Sequence, residues 1–266
     1  MAASSPSPLA TARRALVTGA GGGLGREVAR QLAGRGCSVA VLDINPASAD
    51  ATVSLCREAD GEAFAIADDL TRVGAPEAAV DAVVGRWGRL DILVNNAGFG
   101  GIESFLAMTA ALWNRTLALN VTALALAAAA AGRIMQTQRS GRIINVTSPA
   151  SRMALPNYTA YAASKAAVDA ITRAAAVALA PFGVLVNSVA PGMMDTEMQR
   201  VTEAELARLE GRNDLQAFLD ERTRRVPLGR RIEPAEVAAG IVWLALDAPD
   251  YVTAERLNIS GGLDKD

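Results

Sequence analysis

Short apolar runs alternate with longer helical patterns along almost the whole chain, and few architectures accept that alternation. Strand-like runs fall at residues 15–18, 38–43, 63–67, 92–95, 142–147, 184–190 and 256–259. Helical patterns lie between them at 25–35, 47–59, 76–87, 110–136, 158–180 and 234–246. The runs are nearly continuous apolar stretches, as strands covered on both faces require. The pattern predicts an α/β fold in which a central seven-stranded parallel sheet is doubly wound, with right-handed crossovers placing helices on both faces. No shift in composition marks a second domain, so residues 13–266 are read as one unit.

Composition narrows the function classes. Of the 266 residues 51% are hydrophobic and 20% charged, enough for one large core. The net charge of −2 offers no basic field for nucleic acid. Cys37 and Cys56 read as two reduced intracellular thiols, and with no histidine in the chain a metal site is not expected. Residues 1–12 are small, polar and Pro-containing and read as a flexible tail, not a secretory signal. The apolar stretch from Ala123 to Ala131 is too short and too Ala-rich to span a bilayer. A cytoplasmic protein is expected.

The first strand runs into Ala15-Leu-Val-Thr-Gly-Ala-Gly-Gly-Gly-Leu-Gly25 and then a helix. Gly19, Gly23 and Gly25 stand where a tight turn and a close backbone approach are needed. The helix N-terminus behind them suits a pyrophosphate, as in a Rossmann-type domain. A glycine-rich turn can also be only a loop, but here it has the strand–turn–helix context. Asp43 closes the second strand, where a carboxylate can accept bonds from both adenosine ribose hydroxyls and repel a 2′-phosphate. No Arg or Lys occurs in residues 20–24 or directly after Asp43, so NAD is expected over NADP. Asp43 can also be read as a loop-initiating carboxylate. Of Asp68 and Asp69, one is expected on the adenine amino group and the other in solvent.

Tyr161-Ala-Ala-Ser-Lys165 puts a phenol and an ammonium on one helix face. A free phenol titrates near pH 10, and a nearby cation lowers that value. The pair is thus a candidate general acid/base unit in a chain without the usual histidine. The same spacing arises in helices where Tyr packs and Lys is solvated. Residues 193–229 follow a Pro-Gly and are rich in charge. They read either as a solvated helical insertion or as a mobile lid, and their position after a strand favours the lid.

Together these motifs resemble the short-chain dehydrogenase/reductase family from Arg14 to Leu263. The resemblance rests on Thr18-Gly-Ala-Gly-Gly-Gly-Leu-Gly25, Asp69-Leu70, Asn95-Asn-Ala-Gly98, Asn120, Ser148, Tyr161 with Lys165, and Pro191-Gly-Met-Met-Asp-Thr196. It implies a catalytic set of Asn120, Ser148, Tyr161 and Lys165. It implies cofactor contacts from Gly19, Gly23, Leu24, Gly25, Asp43, Ile44, Asp69, Leu70, Asn96, Ala97, Gly98, Tyr161, Lys165, Pro191, Gly192, Met194 and Thr196. Departures from the family's usual pattern are Thr147 for a second Ser, Leu185 for an Arg, Ala254 for a Gly and Ser260 for an Asp.

The implied reaction moves hydride between a secondary alcohol or ketone and the nicotinamide. Ser148 would hold the substrate oxygen, Tyr161 exchange its proton, and Lys165 lower the Tyr161 pKa and hold the ribose. Asn120 would hold a relay water through its main-chain carbonyl. Ser148, Ala150, Met153, Tyr158, Tyr161, Met193 and Met198, with Phe99, Asn157 and Met194, are expected to line an apolar substrate pocket. No cluster of Arg or Lys marks a phosphate or carboxylate substrate, so an apolar or cyclic alcohol or ketone is expected, with a 3-oxoacyl thioester second. A non-catalytic NAD-binding regulator is the alternative of another class. Ala-rich helices at 110–136 and 158–180 suggest a homo-oligomer, a dimer or tetramer as in the family.

Overall fold

The computed structural model describes residues 12–264. The expected N-terminal tail therefore lies outside the described residues, apart from Ala12. Seven strands form one fully parallel sheet in the order β3-β2-β1-β4-β5-β6-β7. They are β1 (Arg14–Thr18), β2 (Ser38–Asp43), β3 (Ala63–Ala67), β4 (Ile92–Asn95), β5 (Gly141–Val146), β6 (Val184–Pro191) and β7 (Arg256–Ile259). β1, β4 and β6 are buried along their whole length, which accounts for their unbroken apolar sequence. Each runs parallel to its neighbour with regular register, such as Val17 opposite Val41 on one side and Val94 on the other.

Helices cover both faces. α1 (Gly23–Gly34), α2 (Pro46–Glu58) and α8 (Pro234–Leu246) pack on one face, where Val28, Leu32, Val53 and Ile241 meet Val17, Val41 and Ile144. α3 (Ala75–Trp87), α4 (Ala110–Gln138) and α5 (Thr159–Leu179) pack on the other, where Val80, Ala127, Met135 and Ala176 meet Leu16, Leu93 and Ile143. Each fully buried large side chain contributes roughly 1.5–3 kcal/mol. α6 (Glu197–Leu209) and α7 (Leu215–Arg224) occupy the charged segment after β6. Side-chain caps start several helices: Asn45 accepts from the Ser48 N–H, Thr109 from Leu112, Thr196 from Gln199 and Asp214 from Ala217.

Two expectations need correction. The helix over 110–136 is not a uniform α-helix: residues Ala118–Ala123 form a π-turn inside it, and it ends at Gln138. Nothing in Ala-Leu-Asn-Val-Thr-Ala breaks a helix, so the pattern gave no warning. The apolar stretch 123–131 is also part of a longer unit, for α4 spans 29 residues with a mean hydropathy of 1.6, long and apolar enough to cross a membrane by those measures alone. Its Ala123, Ala127, Ala128, Ala131 and Met135 lie buried against the sheet, the place of a core helix.

Cys37 and Cys56 are both buried, and burial pushes both thiols up to about 11, far from a reactive thiolate.

Candidate active site

The strand order reverses between β1 and β4, and the cleft of such a sheet opens at that point beyond the carboxyl ends. The two strand ends are tied together there. The Thr18 hydroxyl accepts the N–H groups of Asn96 and Ala97, both at 3.0 Å. The Asn96 amide donates back to the carbonyls of Thr18 at 2.9 Å and Gly19 at 3.0 Å. Gly19 turns with φ 62°, and a Cβ on Gly25 would lie 2.3 Å from the Gly19 carbonyl oxygen. Gly25 therefore lets α1 close onto the turn and does not itself line the cleft. Gly22 caps α1 in extended backbone with no side-chain hydrogen bond, so the first helical N–H groups are left uncapped beside Gly19, Gly23 and Leu24. A diphosphate fits this cradle.

A cavity of about 570 Å³ runs from this turn along the strand ends. Asp43, Ile44, Asp69, Leu70, Asn96, Ala97 and Gly98 line one half, with Pro191, Gly192, Met194 and Thr196 across from them. The Asp43 carboxylate accepts the Gly21 N–H at 2.8 Å and the Asn45 N–H at 3.0 Å, so it shapes the turn as well as facing the cavity. Arg26 reaches the Gly21 carbonyl and the Thr52 hydroxyl and does not line the cavity. Asp68 and Asp69 both line it, and neither is simply solvated as one was expected to be. Asp68 is paired with Arg72 at 2.7 Å. Asp69 takes the N–H and hydroxyl of Thr71, which hold its carboxyl below the ordinary value.

The deeper half contains the expected catalytic set. Ser148 follows β5, and Tyr161 and Lys165 lie one turn apart on α5. All three line the cavity, with the Ser148 hydroxyl close enough to the Tyr161 phenol to favour its ionised form. Lys165 is only 4% exposed. Its ammonium donates to the Val146 carbonyl at 2.8 Å and sits 5.6 Å from the centre of the Tyr161 ring. Desolvation lowers the Lys165 pKa to about 8, opposed by the charge of Asp169. The expected lowering of Tyr161 is not found. Burial pushes the phenol above its ordinary value, opposed only by the nearby Ser148 hydroxyl. Asn120 lies in the π-turn, fully buried behind Gly98, and does not reach the cavity. Its amide donates to the Phe99 carbonyl at 2.9 Å and the Ser164 hydroxyl at 3.0 Å and accepts the Phe99 N–H at 2.7 Å. Its side chain thus fixes the loop after β4 against α5.

Behind Ser148 lies a buried ionic cluster that no sequence motif flags. Arg256 of β7, with its side chain 8% exposed, donates to the Ser148 carbonyl at 3.0 Å. The guanidinium faces Asp169, at 3.5 Å, and Asp264. Asp169 also accepts the Ser151 hydroxyl at 2.7 Å.

The outer half carries Phe99, Ala150, Met153, Tyr158, Met193 and Met198, as expected. Asn157 is not among the lining residues; its amide turns to Glu210. Leu155, Gln199 and Thr202 were not foreseen. The expectation of no cationic cluster there is overturned, because Arg222 and Arg225 of the α7 segment line the same cavity. Their spacing puts them on one helix face, a signal present in the sequence but hidden among many charges.

Residues 13–207 match the model of the family described as short chain dehydrogenase. The chain belongs to that family. Among curated relatives of this short-chain dehydrogenase, a 3-oxoacyl-[acyl-carrier-protein] reductase of Synechocystis is 36% identical, covering 95% of the chain and 97% of the relative. A cis-4-hydroxycyclohexanecarboxylate dehydrogenase of Sinomonas cyclohexanicum is also 36% identical, with 94% and 96% covered. The crystal structure of a single-residue variant of actinorhodin polyketide ketoreductase with NADPH superposes with a TM-score of 0.91 at 33% identity, covering 96% of this chain and 98% of that one. That of an NAD+-bound xylitol dehydrogenase gives 0.88 at 32%, covering 94% and 98%.

The departures of this short-chain dehydrogenase have structural roles. The Thr147 hydroxyl donates to the Lys165 carbonyl at 3.2 Å, tying β5 to α5. Leu185 is buried within β6. Ala254 holds φ 64°, a left-handed conformation that favours glycine. Ser260 packs its backbone on Gly192, where a Cβ would lie 2.9 Å from the Ser260 Cα.

Proposed function

We propose that this protein is an NAD-dependent oxidoreductase that interconverts a secondary alcohol and its ketone, with Tyr161 as general acid/base. The observation that carries the reading is the convergence of Ser148, Tyr161 and Lys165 on one cavity, with the buried Lys165 ammonium 5.6 Å from the centre of the phenol ring. When bound, the cofactor accepts or donates hydride. Ser148 holds the substrate oxygen, and Tyr161 takes the hydroxyl proton in oxidation or returns it in reduction. Lys165 holds positive charge next to the phenol and is the residue that would bind the nicotinamide ribose. Asn120 acts indirectly, by fixing Phe99 and Ser164 around the reacting groups.

Asp43 supports NAD over NADP, because it sets a carboxylate at the β2 end where a 2′-phosphate would lie. The arginine of this turn, Arg26, is committed to Gly21 and Thr52. The segment of α6 and α7 is read as a lid, since both helices contribute to the cavity wall. A homo-oligomer is part of the same reading, with exposed Leu126 on α4 and Val177 on α5 as contact residues. Apolar walls favour a cyclic or hydrophobic alcohol or ketone. The test is nicotinamide absorbance with cyclic, aliphatic, steroidal and sugar alcohols, run with NAD and NADP in parallel. Turnover with NAD is the expected result, and turnover with NADP alone would overturn the cofactor assignment.

A further inference from the structure

Tyr161 and Ser148 account for the reacting oxygen, but nothing in that chemistry calls for the two guanidinium groups at the outer end of the same cavity. Arg222 makes one hydrogen bond, from Nε to Glu203 Oε1 at 3.0 Å, and lies over the Phe218 ring at 5.6 Å, with its side chain 19% exposed. Its two terminal amino groups form no hydrogen bond among the described residues, and the residue lines the cavity. Glu203 is completely buried and also receives Arg231, at 2.8 and 3.0 Å, so two guanidinium groups share one carboxylate. Arg225, three residues on, repeats the arrangement. It bonds Glu221 at 2.7 Å, and Arg212 bonds the same carboxylate at 2.7 Å. Four guanidinium groups thus share two carboxylates, and Arg222 and Arg225 adjoin the cavity, which Glu197 also lines.

Both arginines line the cavity that also holds Tyr158 and Tyr161. The Tyr158 ring lies 6.4 Å from the Tyr161 ring. Tyr158 lines the cavity together with Tyr161 and Arg222, and its phenol feels Arg222 against the opposing charges of Glu203 and Glu210. Glu197 lines the cavity too, next to Thr196, whose methyl group would lie 3.5 Å from a Cβ on Gly23. A planar guanidinium with free donors beside an apolar wall matches an oxyanion attached to an apolar body.

We propose that the substrate carries an anionic oxygen group, carboxylate or phosphate, at the end remote from the reacting carbon, and that Arg222 and Arg225 receive it. The inference rests on the oxidoreductase reading of this cavity and narrows its substrate class. Two sources of the anion fit, a compact hydroxy or oxo acid, or the phosphate of a phosphopantetheine arm carrying a thioester.

The test compares matched pairs in the full-length protein. For turnover, 4-oxocyclohexanecarboxylate is set against its methyl ester, and a 3-oxobutanoyl thioester of phosphopantetheine against that of pantetheine, with NADH. The anionic member of one pair is expected to show at least a tenfold higher kcat/KM, carried by KM. The pair that shows it identifies the source. In Arg225→Gln, and in Arg222→Gln if it folds, that preference ratio is expected to fall at least tenfold. Arg225 is 65% exposed, so its variant is a safe folding partner for the test. Binding is read separately by calorimetric titration of the NAD-saturated protein with cyclohexanecarboxylate and cyclohexanecarboxamide, which cannot react, and with phosphopantetheine and pantetheine. Selective anion binding without turnover would support the anion site and sink only the oxidoreductase reading. Equal use and equal binding within both pairs, or a preference that survives both variants, would overturn the proposal.

Discussion

At the residue scale, Tyr161 and Lys165 are opposed by their own burial. Desolvation raises the phenol and lowers the ammonium, so burial disfavours each charged form. Positive charge brought by an oxidised nicotinamide would favour the phenolate. Tyr161→Phe keeps the ring and removes the proton carrier. Turnover is expected to fall by about 10²–10⁴-fold while the fluorescence titration with NADH changes little; near-normal turnover would remove Tyr161 from its role. Lys165 also gives a stability signature. Its folded pKa of about 8 lies below the ordinary 10.5, so the unfolded chain binds the proton more tightly between those values. Stability from this group therefore rises as pH increases from about 8 to 10.5, with a slope of at most about 1.4 kcal/mol per pH unit. Urea unfolding across that window should show the wild type gaining on Lys165→Met, and parallel curves would refute the buried cation.

At the scale of elements, the strands at the sheet edges do more than complete the sheet. β7 supplies Arg256, and removing that cation strands the buried carboxylates of Asp169 and Asp264. Arg256→Gln is expected to cost about 3–5 kcal/mol in urea unfolding, with Arg256→Lys recovering part of it. A loss below about 1 kcal/mol would mean that water reaches the cluster. Just before β7, Ala254 holds a strained left-handed backbone while its N–H bonds the Val186 carbonyl at 2.8 Å. Ala254→Gly relieves roughly 1–2 kcal/mol of strain, less the greater freedom of glycine in the unfolded chain and the lost methyl contact. A net gain of roughly 0.5 kcal/mol follows, about 1–2 °C by calorimetry; a lower Tm would show that the methyl packing dominates. The elements themselves were readable: each strand-like run matches a strand or lies within one residue of it at either end, because apolar continuity is a local property. The Arg256 cluster was not, because it joins β7, α5 and the segment after β7, which are neighbours only in the folded sheet. Arg222 and Arg225 were hidden for a similar reason, since nothing local tells which of the many charges after β6 turn inward.

For the whole molecule, the cofactor cleft joins the two halves of the sheet at the β1–β4 junction, so occupancy should be felt globally. At NAD concentrations near 100 times Kd, stability should increase by about 2.7 kcal/mol. For a domain of this size that is roughly a 5–10 °C rise in Tm, with NADP giving much less; an equal rise with NADP would contradict the part assigned to Asp43. The fold and the half of the cleft at the glycine turn were legible because they follow from strand ends and glycines. The half of the cleft walled by α6 and α7 depends on helices after β6 whose orientation only tertiary packing sets. The π-turn in α4 has a consequence of the same global kind. Successive residues of an α-helix are about 100° apart around its axis, so the extra residue of the π-turn offsets the angular phase of the two halves of α4. One phase serves Asn120 toward Phe99 and Ser164, and the other serves Ala127, Ala131 and Met135 toward the sheet. Deleting one residue within 118–123 would restore a single phase, and one of those two sets would then face the wrong way. The helix is in this sense two rulers spliced with a deliberate error, and a chain of this design should tolerate substitutions there far better than a change in length.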